Sequence, residues 1–116
     1  MKIDKSLMTG STTLLVLALL SGEELYGYQM ITELARRSDH SFELKEGTLY
    51  PILHGLEKDG LVTAHERTAE TGRLRKYYRI TSSGRRVLEE KKTEWRTFTE
   101  KVNAVVSGSQ PLGATE

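Results

Sequence analysis

The sequence predicts a mainly α fold of the α+β class, a winged helix-turn-helix with a two-stranded wing and a long C-terminal dimerisation helix. Three observations support this prediction. An apolar-striped helix covers residues 47–59. A two-stranded ribbon that turns at Thr71-Gly72 follows, and residues 73–79 of its second strand carry four Lys or Arg. Apolar residues then recur every seven positions until about Val106, which is typical of a helix that packs on another helix.

Length and composition limit the chain to one domain that is expected to need a partner. With 116 residues it can bury a single core, and its 37% apolar and 7% aromatic content is low for a globular protein. The absence of cysteine excludes disulfides and thiolate chemistry and fits a cytoplasmic location. The apolar run Leu14–Leu20 is too short to cross a membrane, which takes roughly 20 residues, so a buried helix is predicted.

The small net charge of +1 hides an uneven distribution along the chain. Residues 45–86 carry nine basic and five acidic side chains, a net +4. Residues 1–44 have a net charge of −2, and residues 87–116 have −1. The positive charge therefore lies on the helix and the ribbon, where a phosphate-binding surface would need it.

The first part of the chain predicts an arm and two helices. Residues 1–10 are mixed in charge and predict a flexible N-terminal arm, and residues 11–81 form the predicted winged helix domain. A first helix runs from Ser11 or Thr12 to about Ser21; because it is apolar nearly all round, it is expected to contact both the core and another subunit. A second helix is predicted over about Tyr26–Ser38, and it has one apolar stripe: Gly27, Met30, Ile31, Leu34 and Ala35.

The helix over residues 47–59 is the predicted recognition helix. Its apolar stripe consists of Leu49, Ile52, Leu53 and Leu56. Pro51 lacks an amide donor and therefore belongs in the first or second turn. Thr48, Tyr50 and His54 lie in the N-terminal half, the end that enters the groove in helix-turn-helix docking. Tyr50 also has a second interpretation, as a rim residue packed on Tyr26 or Phe42.

The second strand of the ribbon is strongly basic. Alternation places one set of its side chains on a cationic and aromatic face, namely Arg73, Arg75, Tyr77 and Arg79. Arg73, Arg75 and Lys76 are expected to bind phosphate without regard to sequence. The alternative is a solvated edge strand whose charges prevent aggregation.

The C-terminal part of the chain predicts a long helix, over residues 82–106, and a tail. The helix would be roughly 37 Å long, more than a domain of this size covers. Dimerisation is therefore favoured over an ordinary core helix with a frayed end. The expected interface residues are Leu14, Leu88, Trp95, Phe98, Val102 and Val105, with Lys91 as a polar exception. Residues 107–116 predict a disordered tail.

Catalytic and metal-binding patterns are missing from the sequence. His40, His54 and His65 lie in three different predicted elements, without zinc-ligand spacing. There is no phosphate-cradling glycine loop and no nucleophile elbow. No enzyme activity, metal or cofactor is therefore expected.

Three segments resemble the PadR family of transcriptional regulators, in the expected order. They read LLVLALLSGEELYGYQM, EGTLYPILHGLEKDGLV and GRLRKYYRIT, and with the long helix the resemblance covers about residues 7–105. It implies a homodimeric, winged-helix repressor whose recognition helix is the third one. Such a dimer is expected to place two recognition helices in successive major grooves of a palindromic operator. Together with the pattern of the sequence, it gives these expected DNA-binding residues: Tyr28, Gln29, Lys45, Thr48, Tyr50, Pro51, His54, Arg73, Arg75, Lys76 and Tyr77.

The single C-terminal helix resembles the small subclass of that family. Some of its drug-sensing members hold flat aromatic ligands against a tryptophan at the position of Trp95. The resemblance implies that a small planar aromatic effector releases the operator, with Thr13, Leu17 and Thr99 beside Trp95. The other interpretation is that Trp95 only packs the dimer. A different function class also remains open, a protein-interaction module that docks its basic wing on an acidic partner and shows no duplex preference.

Overall fold

The computed structural model describes residues 1–108, which form five helices and three strands. In chain order these elements are α1 (Lys5–Thr9), α2 (Thr12–Leu20), β1 (Leu25–Tyr26), α3 (Gly27–Arg37), α4 (Glu46–Lys58), β2 (Val62–Thr68), β3 (Leu74–Ile80) and α5 (Ser82–Val106). The four predicted helices and the ribbon are thus present with ends that differ by one or two residues. Apart from Ser107 and Gly108, the predicted tail lies outside the described residues.

The strands form one antiparallel sheet in the order β1-β3-β2. The β2–β3 hairpin pairs Val62 with Ile80 at its base. Its turn contains Gly72 at φ +85°, a left-handed conformation that glycine adopts without a Cβ clash. β1 adds a third strand that was not expected, because two residues are too few to show an alternating pattern.

The core lies between the sheet and helices α2, α3 and α4. The largest fully buried side chains come from all of these elements and include Leu17, Leu20, Met30, Leu49, Leu53 and Tyr78. The expected apolar stripes of α3 and α4 are confirmed. α2 is buried along most of its length, in agreement with its uniformly apolar sequence.

The N-terminal residues differ from the expected flexible arm, since they contain α1 and attach to the domain. Met8 is buried in the core. The backbone N–H of Ile3 donates to the carbonyl oxygen of Ser41 at 3.0 Å, and Lys2 Nζ lies 3.1 Å from a carboxylate oxygen of Glu43. A five-residue helix with one buried side chain has no detectable period, which is why the sequence pattern did not reveal it.

Only the first part of α5 packs on its own domain. The Thr81 hydroxyl accepts from Gly84 N–H at 3.0 Å, which caps the helix, and Leu88 is buried. The far half of α5 projects outward, so the radius of gyration is 17.4 Å, against about 13 Å for a compact chain of this length. Over residues 1–108, no helix combines the length and apolar character that crossing a membrane requires.

Candidate nucleic-acid interface

α4 presents one face to solvent because its other face is buried. Leu49, Leu53 and Leu56 point into the core, whereas Pro51 and His54 are exposed. Pro51 is the sixth residue of the helix and so lies in its second turn, as predicted. The exposed face therefore starts near the N-terminal end of α4 and carries polar side chains outward.

Tyr50 lies on one flank of α4, where α4 meets α3. Its ring packs so closely on Gly27 that a Cβ at that position would collide with the phenol hydroxyl and ring carbons. The close approach of the two helices therefore depends on glycine at position 27. Tyr50 is half-buried, so the rim interpretation and a surface role are both compatible with its position.

The same flank of α4 opens on a cleft of about 570 Å³, here called the wing cleft. The wing cleft is lined by β1, α3, α4, β3 and the turn before β3. The lining residues are Tyr26, Tyr28, Glu46, Tyr50, Arg73, Leu74, Arg75 and Lys76. Five of the expected DNA-binding residues thus meet at one place, although they come from three separate segments of the chain. Tyr28, Arg73 and Lys76 are exposed there, with Tyr28 at 62%, whereas Arg75 is half-buried.

Arg75 is held more firmly than its two basic neighbours. Its guanidinium carbon lies 4.4 Å from the centre of the Tyr26 ring, a cation–π contact that fixes the plane of the group. Its Nε is buried and has no hydrogen-bond partner among residues 1–108. Arg73 and Lys76 are exposed. The wing therefore carries one oriented guanidinium between two exposed cations.

Tyr77 does not reach the surface, contrary to the expectation that it contacts DNA. It is only 4% exposed, because β1 pairs alongside it and the Tyr26 ring packs edge-on at 5.2 Å. The Arg67 guanidinium covers the Tyr77 ring at 4.0 Å. Tyr77 thus supports Tyr26 and, through it, Arg75.

Glu24 neutralises the rest of the cationic face of the ribbon. Its carboxylate accepts hydrogen bonds from Arg67 and, at 3.0 Å, from Arg79, and His65 Nε2 lies 3.3 Å away. The hydrogen bond from Arg79 lowers the pKa of the Glu24 carboxyl below its ordinary value. Arg79 is therefore tied to the domain. Among residues 1–108, the wing cations without an ion-pair partner are those at the wing cleft.

Two further expected residues lie outside the lining of the wing cleft and have different roles. The Gln29 side chain accepts from the backbone N–H of Tyr26 at 3.1 Å, so its oxygen stabilises the start of α3. Lys45 is exposed at the N-cap of α4. Its carbonyl oxygen accepts from Thr48 and Leu49 N–H at 3.0 and 2.9 Å, which starts the helix. Its side chain lines a different cleft, on the flank of α4 that faces away from the wing.

The residues expected to bind an effector are not gathered around one cavity of the protomer. Trp95 borders an apolar groove of about 380 Å³, here called the tryptophan groove, with Leu7, Leu14 and Phe42. Thr13 lines a different cleft, next to α4, and Leu17 is fully buried in the core. Thr99 lies one turn beyond Trp95, and its hydroxyl donates to the Arg96 carbonyl at 3.0 Å.

The expected interface residues of α5 divide into two groups. Trp95, Phe98, Val102 and Val105 are 48%, 64%, 38% and 82% exposed, respectively, and they form an uncovered apolar strip. Leu88 is 2% exposed and packs on its own domain, so it is not available to a second chain. Leu14 is half-buried and borders the tryptophan groove, where α5 leaves the domain.

Comparison with known proteins agrees with this geometry. A family model described as the transcriptional regulator PadR-like family matches residues 16–90. The matched segment runs from α2 to the first turns of α5 and contains the wing cleft. The chain belongs to the PadR-like family of transcriptional regulators. The resemblance that the sequence predicted is therefore confirmed.

Relatives of this PadR-like chain share most of its length. It is 40% identical over 87 residues to the transcriptional regulator Rv3488 of Mycobacterium tuberculosis, covering 75% of this chain and 74% of that protein. A PadR-like transcriptional regulator from Bacillus cereus has a TM-score of 0.78 and 31% identity, covering 90% of this chain and all of that chain. A PadR family regulator from Eggerthella lenta has a TM-score of 0.76 and 35% identity, covering 87% and 86%. The winged-helix fold class predicted from the sequence is thus confirmed.

Proposed function

We propose that this PadR-like protein is a homodimeric repressor that inserts α4 into the major groove of a palindromic operator. The observation that carries the proposal is the wing cleft on one flank of α4, where three tyrosines meet three cations that have no ion-pair partner among residues 1–108. A major groove admits one α-helix, and its phosphates lie beside that helix. The exposed face of α4 and the rim of the wing cleft match these two requirements.

The side chains of the wing cleft suit different parts of a duplex. Arg73, Arg75 and Lys76 bind phosphate oxygens, since charge-assisted hydrogen bonds to phosphate need no particular base. The hydroxyls of Tyr28 and Tyr50 donate to phosphate oxygens or to base edges. Base-specific contacts then fall to the exposed N-terminal half of α4.

The uncovered strip on α5 supports the homodimer. A second copy of the chain that pairs along this strip would bury side chains that otherwise expose a large apolar area. Two-fold pairing presents both α4 helices to the same side of a duplex. The half-sites of the operator would then lie about 34–36 Å apart, one helical turn.

Replacement of Arg75 by alanine tests the assignment of the wing cleft. We expect Arg75→Ala to weaken binding of all duplexes alike, because a phosphate contact carries no sequence information. The slope of log K against log salt concentration should become shallower by about 0.9, the value for one lost phosphate contact. Fluorescence anisotropy with a duplex from upstream of the protein's own coding region, and with a scrambled duplex, measures both quantities.

Arg96→Ala is the matched control for this experiment. Arg96 is exposed on α5, away from the apolar strip, so this variant loses the same charge and should bind like the parent. If Arg75→Ala and the parent have the same DNA affinity and the same salt slope, the wing cleft is not part of the DNA interface. If the parent protein binds no duplex even at low salt, the proposed DNA-binding function is wrong. Docking of the wing on an acidic protein would then be favoured.

The proposed effector site is the tryptophan groove, completed by the second chain. Trp95 is half exposed at the edge of an apolar groove, which suits a planar aromatic ring. Since Trp95 is the single tryptophan, its emission reports directly on this site. We expect planar aromatic cations to quench that emission and to release the operator over the same concentration range. If the emission spectrum is unchanged across a panel of such compounds, Trp95 does not bind an effector of this class and only packs the dimer.

A further inference from the structure

A second cleft lies on the flank of α4 that faces away from the wing. It measures about 660 Å³ and is formed by the N-terminal segment and the start of α4; we call it the N-terminal cleft. From α4 it is lined by Thr48 and Ile52, one turn apart on this flank, whereas Glu46 and Tyr50 line the wing cleft. The two clefts therefore border the exposed face of α4 from opposite sides.

The N-terminal cleft is bordered by three lysines and two carboxylates, Asp4 and Glu43. Lys45 stands at the N-cap of α4, and Lys2 and Lys5 belong to the N-terminal segment. All three are exposed. Lys2 pairs with Glu43 at 3.1 Å, but both side chains are more than half exposed, at 69% and 59%. Such a surface pair contributes little free energy, so Lys2 can exchange it for another anion.

The position of Lys2 and Lys5 is set by the anchors described for the N-terminal segment. The backbone hydrogen bond between Ile3 and Ser41 lies between the two lysines. Asp4 accepts from Ser6 N–H at 2.9 Å and caps α1, and buried Met8 joins α1 to the core. Cations on an anchored segment lose less conformational entropy on binding than cations on a free tail.

A helix in a major groove has a phosphate backbone on each side, because the groove is only about 12 Å wide. The wing cations lie beside one of these backbones. We propose that Lys2 and Lys5 bind the phosphates of the other backbone, so that the N-terminal segment and the wing hold the duplex from both flanks of α4. This inference rests on the proposed DNA-binding function. It adds contacts that carry affinity but no base preference.

The test removes both lysines from the full-length protein. We expect the Lys2→Ala, Lys5→Ala double variant to bind operator and scrambled duplex more weakly than the parent by the same factor. The slope of log K against log salt should become shallower by about 1.8, corresponding to two phosphates. Binding itself should persist, because the wing cleft is unchanged.

Three further variants make the result specific. Lys2→Arg with Lys5→Arg keeps the charge and should keep the parental slope. Arg96→Ala with Lys101→Ala removes the same charge from exposed positions on α5 and should also bind like the parent. Glu43→Gln frees Lys2 and removes a carboxylate near the duplex. It should therefore raise DNA affinity, whereas the double alanine variant lowers it.

Each outcome either supports or overturns the inference. If the parent binds no duplex, the proposed function fails and this inference fails with it. If the parent binds, a parental slope in the double alanine variant overturns the inference and leaves the proposed function intact. An equal loss of DNA affinity in the Arg96→Ala, Lys101→Ala variant also overturns the inference, because the effect would then reflect the net charge of the protein. If circular dichroism shows that the double alanine variant is unfolded, the Glu43→Gln variant tests the inference instead. A higher affinity for DNA than the parent supports the inference, and an equal or lower affinity overturns it.

Discussion

Gly84→Ala is expected to lower the free energy of unfolding by about 1–3 kcal/mol, the usual cost of overpacking a tight site. A Cβ at Gly84 would collide with the carbonyl oxygen of Leu61 and approach the Ile80 side chain to 2.7 Å. The Leu61 carbonyl cannot retreat freely, because it accepts from the backbone N–H of Thr81 at 3.0 Å. The start of α5 would therefore move away from the sheet.

The matched control is the same substitution in open space. Gly55 lies within α4, and nothing stands within 4 Å of an added Cβ. Gly55→Ala should therefore stabilise the protein by about 0.5–1 kcal/mol through helix propensity alone. Urea unfolding followed by circular dichroism measures the change in unfolding free energy of both variants. All variants are compared at one protein concentration, because the proposed dimer links stability to concentration. A neutral or stabilising Gly84→Ala would show that α5 does not rest on the Leu61 carbonyl.

Trp95→Ala is expected to separate the two chains of the proposed dimer. Trp95 is half exposed in the protomer and stands where the apolar strip meets the tryptophan groove. Truncation of a fully buried tryptophan costs about 3–5 kcal/mol. The dimer dissociation constant should therefore rise by at least about a hundredfold. Sedimentation velocity over a dilution series would show monomer at concentrations where the parent remains dimeric.

Tyr28→Ala is the control for the loss of an exposed aromatic side chain. Tyr28 is 62% exposed but lies at the wing cleft, far along the chain from α5. This variant should sediment like the parent and lose DNA affinity instead. If Trp95→Ala and the parent sediment alike at low concentration, the dimer does not depend on Trp95. The two chains would then associate through the remaining residues of the apolar strip, Phe98, Val102 and Val105.

Periodic features of the sequence predicted most of the architecture. The apolar stripes of α3 and α4 repeat with the period of a helix, and burial of Met30, Leu49 and Leu53 confirms them. Alternation along β3 correctly placed Arg75, Tyr77 and Arg79 on one face, as the strand register shows. Local sequence determines these features because helix and strand geometry repeat side-chain directions at fixed intervals.

Residues that act through distant contacts could not be assigned in the same way. Glu24 pairs with Arg67 and Arg79 from 43 and 55 positions away, so no local pattern shows that it neutralises them. β1 buries Tyr77 through pairing that only the folded sheet creates. Leu17 and Thr13 are close in sequence, yet one is buried in the core and the other borders the N-terminal cleft.

The order of the elements, their inward faces and the segment that carries the positive charge thus follow from the amino-acid pattern. Packing of the elements was needed to show which of those charges pair, which aromatic rings stay at the surface and where the N-terminal segment lies. This difference arises because periodicity is a property of neighbouring residues along the chain. Ion pairing, ring burial and cleft formation depend instead on distances between segments, which are set when the helices pack on the sheet.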